Sequence, residues 1–431
     1  MTTATAEMAP GAQATAAVPA RRPSRRSLRG LDALNFLLAD IQTGVGPFLA
    51  IYLASYGWNE ERVGMALTVG GIAGILAQTP AGGLVDFVRA KRALLAFAVS
   101  ALAVGALVIA VAPSFWPVMA AQVLLGSTSS VFIPGICAIS LGLVGAAAFD
   151  ARQGRNQTFN AAGNVMAAIS MGLLGYLISN RSTFFFIVAL AVPTVLVLSL
   201  IDPAEIDYDV ARGAQGKPGA QGKNDCQPAA RRGSVRALLA DRRLVVFLVC
   251  AVLFHFANAA MLQLLGERLA KGRGPTSMLF MSACVVTTRL VITLIASAAG
   301  RRAGTWGRKR LLLIGFGVLP VRGILYTLTS SSVWLVAIQV LDGIGAGIFG
   351  VVSVLVIADL TRGSGRFNVT LGAITTAVGI GAALSQGIAG ALVHRIGFRG
   401  GFLFLAGVAA AAFAILFLFM PETRTAGAGE T

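Results

Sequence analysis

From Leu31 to Met420 the chain repeats one pattern, an unbroken apolar run of about 18 to 24 residues closed by a short polar or basic break. At 1.5 Å per residue, a helix of that length crosses a hydrocarbon core of about 30 Å. The runs are continuous rather than alternating, so they predict helices and not the ten-residue strands of a membrane barrel. About twelve spans result, at roughly 31–54, 63–83, 93–112, 117–138, 160–178, 183–201, 244–265, 278–299, 311–329, 334–357, 370–393 and 401–420.

One break is much longer than the others. Residues 202–243 are rich in Gly, Ala, Gln and charge and carry no apolar period, which predicts a linker. Within it, Ser234 to Arg243 has the pattern of a short amphipathic helix. The chain then divides into a basic tail (1–30), a first bundle of six helices (31–201), the linker (202–243), a second bundle (244–420) and a short tail (421–431).

The two bundles repeat each other at an offset of about 218 residues. Phe36, Ala39 and Asp40 align with Phe254, Ala257 and Asn258; Gly82 and Lys91 with Gly300 and Lys309; Trp116 with Trp334; and Pro203 with Pro421. The expected fold is therefore an all-α membrane protein of twelve transmembrane helices in two pseudo-repeated six-helix bundles.

Charge fixes an orientation and removes a function. Of the 35 Lys and Arg, roughly 26 fall on the side that holds the N-terminus, about 7 on the other and about 2 within helices. The net charge of +17 thus reports membrane topology, with the linker and both termini cytoplasmic in a bacterial-type inner membrane, and not a nucleic-acid partner. Cys137, Cys250 and Cys284 sit in spans and Cys226 in the linker, so the spacing gives neither a disulfide framework nor a metal site. No phosphate loop, activated nucleophile or metal cluster is present, which argues against an enzyme and against any cofactor.

Charged side chains at bilayer depth cost at least about 2.5–3.5 kcal/mol each and mark pathways or partners. Asp40, Arg289, Arg322 and Asp342 all lie near the middle of their spans. Asp40 is expected to carry a proton as access alternates between the two sides, the alternatives being a static ion pair with Arg289 or a solvated acid. Asp342 and His255 are further proton-coupling candidates, although a histidine between Phe254 and Phe256 also reads as a packing residue. Arg322, two residues after Pro320, is expected to satisfy a carbonyl freed near the proline or to pair with Asp342.

Two parallel six-helix halves joined by a linker resemble the major facilitator superfamily over about residues 31–423. The motif of that family between its second and third helices, G-x-L-x-D-R-x-G-R-K, is similar to Gly82, Leu84, Asp86 and Lys91, with Phe87, Arg89 and Ala90 replacing the usual Arg, Gly and Arg. The second half keeps Gly300, Gly307, Arg308 and Lys309, but Gly304 stands where the acid belongs. The resemblance implies a gating loop of Gly82, Asp86, Lys91, Gly307, Arg308 and Lys309, in which Asp86 biases the balance between two packings of the halves. It also implies that the first, fourth, seventh and tenth spans line a central cavity, flanked by the second, fifth, eighth and eleventh. Arg289, Asn258 and Gln122 then become substrate-cavity candidates.

The function expected from these residues is secondary active transport by a monomer in the bilayer. Proton-coupled efflux of a small organic compound leads. Proton-coupled uptake of an anionic solute is the alternative, favoured if Arg289 is unpaired, and a non-transporting membrane sensor or assembly factor is the reading from another class.

Overall fold

The computed structural model describes residues 23–43, 46–208, 210–212, 241–274, 276–361 and 367–423. Eleven α-helices account for nearly all of them. In the first bundle these are α1 (Arg25–Thr43), α2 (Pro47–Ser55), α3 (Glu60–Phe87), α4 (Lys91–Val111), α5 (Phe115–Leu177) and α6 (Ser182–Leu198). The second bundle holds α7 (Arg242–Arg273), α8 (Thr276–Trp306), α9 (Arg308–Leu328), α10 (Ser332–Leu360) and α11 (Phe367–Phe419).

Two of these helices each fold back on themselves and supply two crossings. In α5 the reversal falls at Gly145, with φ +71, and in α11 at Gly397, with φ +76, a left-handed region that glycine enters without a Cβ penalty. Side-chain contacts confirm the reversals. Asn156 donates to Ser140 Oγ across Gly145 at 2.9 Å, while Ser385 and Phe404, on either side of Gly397, both meet Phe256 of α7. Nine helical stretches among the described residues are long and apolar enough to span a membrane. With the shorter apolar α6 and the two reversals, this fits the twelve crossings that the hydrophobic pattern predicts.

Local chemistry sets the helix ends. Asn59 caps α3 by accepting from the Arg62 amide at 2.9 Å, and Glu60 and Glu61 occupy the first turn, where negative charge is favoured. Asp241 caps α7 in the same way through the Arg243 amide. Within the first predicted span Gly46 departs from helical geometry, with ψ −107, and Pro47 opens α2 at a position where its missing amide costs nothing. The repeat persists in these bounds, since α4 begins at Lys91 and α9 at Arg308, while α2 ends at Ser55 and α7 at Arg273.

Several expectations need correction. Residues Arg25 to Gly30, assigned to the tail, already belong to α1. Residues 202–208 and 210–212, assigned to the linker, are docked: Ile206 and Ala211 are buried beside Gly142, the Asp207 amide donates to the Gly142 carbonyl at 2.9 Å, and Glu205 accepts from the Ser24 amide and hydroxyl. Two isolated apolar residues are enough for docking but too few to make a period. Residues 213–240 of the linker, with most of the proposed Ser234–Arg243 helix, lie outside the described residues.

The face that carries the start of α1 and the end of α11 is called the terminal face here, and the opposite one the far face. The bundles join toward the far face. Glycines let the backbones touch there: a Cβ on Gly64 would strike the Gln386 carbonyl, and one on Gly390 the Glu60 carbonyl. Thr68 ties the same seam by donating to the Ala383 carbonyl at 2.7 Å and accepting from the Gly387 amide at 2.8 Å. Gly172 and Gly175 of α5 pack on Ser282 and Met278 of α8. Toward the terminal face Leu76, Leu84 and Phe87 of α3 and Leu290 and Leu294 of α8 are exposed. The backbone-to-backbone contacts between the bundles thus lie toward the far face.

Candidate functional site

A buried polar network runs through the second bundle at mid-depth. Arg322 of α9 is fully buried and pairs with Asp342 of α10 at 2.7 Å. Its guanidinium also donates to the Tyr326 hydroxyl at 3.0 Å and to Asn258 Oδ1 of α7, while Gln339 donates to the same hydroxyl at 2.7 Å. Thr288 of α8 bonds Asp342 at 3.3 Å. Of the two roles the sequence offers Arg322, it takes the ion pair and not the carbonyl near Pro320. Asp342, a proton-coupling candidate, has its charge committed to Arg322. Asn258, a cavity candidate, has its oxygen committed to the same guanidinium.

Arg289 is different. It is exposed, and no salt bridge holds it among the described residues, although Asp342 lies within electrostatic reach. On α8 it follows Met278 and Ser282 by eleven and seven residues, which puts it on the helix face that meets α5. Helical periodicity from those contacts turns its side chain toward the space between the bundles. Arg322 and Asp342 cancel each other's charge, whereas no salt bridge among the described residues cancels that of Arg289.

The facing side belongs to the first bundle. Asp40 of α1 is buried, and its Oδ1 has no hydrogen-bond partner among the described residues. No ion pair joins Asp40 to Arg289, so the static-pair alternative is not what the structure holds. Gln122 is buried and donates to the Ala66 carbonyl of α3 at 3.1 Å, a contact between neighbouring helices. Close by, Gln42, Gln78, Ser129 and Ser130 line a recess of about 680 Å³. His255 meets the Phe349 ring edge to face at 4.7 Å between centroids and lies against Phe254, as a packing residue would.

The loop residues occupy the terminal face without forming one site. Asp86 is exposed. Lys91, expected as a loop charge, is instead buried and donates to the Val85 carbonyl at 2.6 Å, capping the end of α3 where cations are favoured. In the second bundle Glu422 accepts from the Arg308 and Lys309 amides at 2.8 and 3.1 Å, and Arg308 pairs with Asp359 at 3.1 Å. Gly307, at φ +87, sits where any Cβ would collide with the Glu422 carboxylate. Around Gly82 there is open space.

The sequence reading missed two ionic clusters. Asp32 of α1 binds Arg152 at 2.6 Å and Arg155 at 2.8 Å, tying α1 to α5. At the far face Glu60 of α3 binds Lys271 of α7 and lies 3.9 Å from His394 of α11, and Glu267 of α7 is buried beside them. These residues stand at span edges, where charges are ordinary; the one available signal was an acid at the same level in both bundles.

The sequence profile of the Major Facilitator Superfamily matches residues 32–304 and 276–431. The chain belongs to the major facilitator superfamily. As a major facilitator it is a multi-pass membrane transporter of the secondary type and not an enzyme. An uncharacterized MFS-type transporter of Mycobacterium tuberculosis, found in two strains, is 44% identical over 399 residues, covering 92% of this chain and 94% of the relative. Among solved structures, the nucleoside transporter NupG aligns with a TM-score of 0.72 at 16% identity, over 92% of this chain and 100% of that one. A bacterial homolog of the human lysosomal transporter Spinster, in an inward-facing and occupied conformation, gives 0.68 at 13% identity, over 91% and 95%. At these identities the two structures speak for the major facilitator fold alone.

Proposed function

We propose that this major facilitator carries a small organic anion into the cell together with protons, with Arg289 as the anion contact and Asp40 as the proton carrier. The observation that carries this reading is Arg289, exposed on the α8 face that turns toward α5 and held by no salt bridge among the described residues. An inside-negative potential opposes anion entry by about 2.3 kcal/mol per charge per 100 mV, and a co-transported proton cancels that cost. Export of an anion would need no proton. The uptake alternative therefore gives both groups a task, whereas efflux, which leads on sequence alone, gains no feature from the geometry. Asp342 and His255 are weaker carriers, because one is ion-paired and the other packed among aromatic rings.

The test is accumulation from a defined mixture of carboxylates, organic phosphates, neutral nucleosides and cationic drugs into proteoliposomes, read by mass spectrometry with an inside-alkaline gradient. Anionic solutes are expected to accumulate, and Arg289→Gln to lower that uptake by about 1.5–3 kcal/mol of lost charged hydrogen bonding, which is at least tenfold. Accumulation of only neutral or cationic compounds overturns the anionic reading.

The orientation is equally open to test. The basic excess supports a cytoplasmic terminal face and linker. A fluorescent protein inserted after Gly216 should glow and an alkaline phosphatase there should be silent. The reverse pattern would invert the topology.

A further inference from the structure

We propose that Glu60 and Glu267 form a proton-binding pair that takes up one proton each time the far face closes. The pair deepens the proton-coupled reading above, yet it concerns a different place, some distance from Asp40 and Arg289, and its test needs no substrate.

Glu60 leads α3 in the first bundle, while Glu267 and Lys271 lie one turn apart on α7 in the second. Closure brings the three together: Glu60 is ion-paired to Lys271 with its side chain 7% exposed, and Glu267 is 2% exposed, within electrostatic reach of both. Fully ionised, the three sum to one negative charge enclosed where two bundles meet. Burying an uncompensated charge costs several kcal/mol, and a group so placed neutralises instead.

Among the described residues the surroundings leave one place for the proton. Arg268, next in sequence, has its guanidinium on the Tyr326 and Thr329 carbonyls at 2.5 and 3.0 Å. From α11, His394 lies 3.9 Å from Glu60 but is 46% exposed, so water already serves it; Arg395 and Arg399 are exposed, as are Glu61 and Arg62 of α3. Glu60 holds the ammonium. The proton therefore goes to a carboxylate oxygen of Glu267, arriving from water at the far face before the seam shuts and returning to water when it opens. The closed state holds one proton more than the open state, so low pH favours closure. With the far face outside the cell, an acidic exterior pushes the outward-to-inward step.

Spin labels at the exposed positions Glu61 and Arg395, in a protein whose four cysteines are replaced, report the seam by pulsed distance measurement in lipid nanodiscs without substrate. One extra proton makes the closed-to-open ratio fall about tenfold per pH unit between the open-state pKa and the raised closed-state pKa of the pair, and level off on either side. Glu267→Gln is expected to stay closed with no pH dependence, and His394→Gln to keep the wild-type profile. Lys271→Met leaves two carboxylates unbalanced, so closure should need more acid and follow a steeper curve; this variant also serves should Glu267→Gln fold poorly. A wild-type ratio that is flat from about pH 5 to about pH 9 overturns the proposal, as does a Glu267→Gln protein that retains the wild-type profile. Loss of the profile in His394→Gln alone would overturn it too, by placing the proton on the imidazole. Because the readout is conformational, it can fail while anion uptake succeeds, and the reverse.

Discussion

Asp40→Asn is expected to abolish accumulation driven by a pH gradient while leaving substrate binding and downhill exchange in place. Asparagine keeps the shape of the side chain and removes the titrating oxygen. Asp40 is buried with one oxygen unpartnered and no cation among the described residues fixing its charge, so protonation is the available way to neutralise it. One pH unit is worth about 1.4 kcal/mol per proton, which sustains up to about tenfold accumulation in the wild type. The variant should equilibrate at about unity. The measurement is flux in proteoliposomes with and without an imposed gradient, using a solute found in the mixture experiment. Undiminished accumulation would remove Asp40 from the proton path and move attention to the seam carboxylates.

The largest loss of stability should come from Asp342→Leu. It strands the fully buried guanidinium of Arg322, and breaking a buried pair from one side costs about 3–5 kcal/mol. Thermal unfolding in detergent should show a lowered midpoint and poor recovery of folded protein. The double variant with Arg322→Met removes the stranded charge and should recover much of that loss, even though Asn258 then lacks its donor. A neutral single variant would mean that the pair does not hold α9 to α10.

Much of the architecture was legible because lipid imposes a simple rule, that backbone groups be satisfied within helices and side chains be apolar over a fixed length. The span lengths and the offset repeat could be read from residue spacing. Pairing across elements was harder. Arg322 and Asp342 were legible as alternatives, since both sit at mid-span, but nothing local says which of two acids a buried arginine meets. The suggestion that Asp40 meets Arg289 failed because it requires a distance between bundles, and no pattern within either bundle encodes that.

Lys91 and Glu60 show a second limit. Each stands where a helix leaves the membrane, and a charge there is usually solvated and uninformative. Lys91 is buried because the turn from α3 to α4 is short enough for its ammonium to reach back to the carbonyls of Val85 and Val88. Glu60 is buried because the other bundle covers it. Span counting treats such residues as punctuation, and only the assembled helices show that they are contacts.

While the far face is closed, the glycine seam between α3 and α11 acts as a fulcrum for the terminal face. Backbone resting on backbone has no rotamers with which to absorb a small displacement, so tilting at Gly64 or Gly390 passes undiminished along the helix. From Gly64 to Pro80 runs about 25 Å of α3 at 1.5 Å per residue, and a swing of about 10° over that arm moves its far end by about 4 Å. A lever of this kind converts a change smaller than a water molecule at the pivot into a doorway wide enough for a solute on the other side of the membrane.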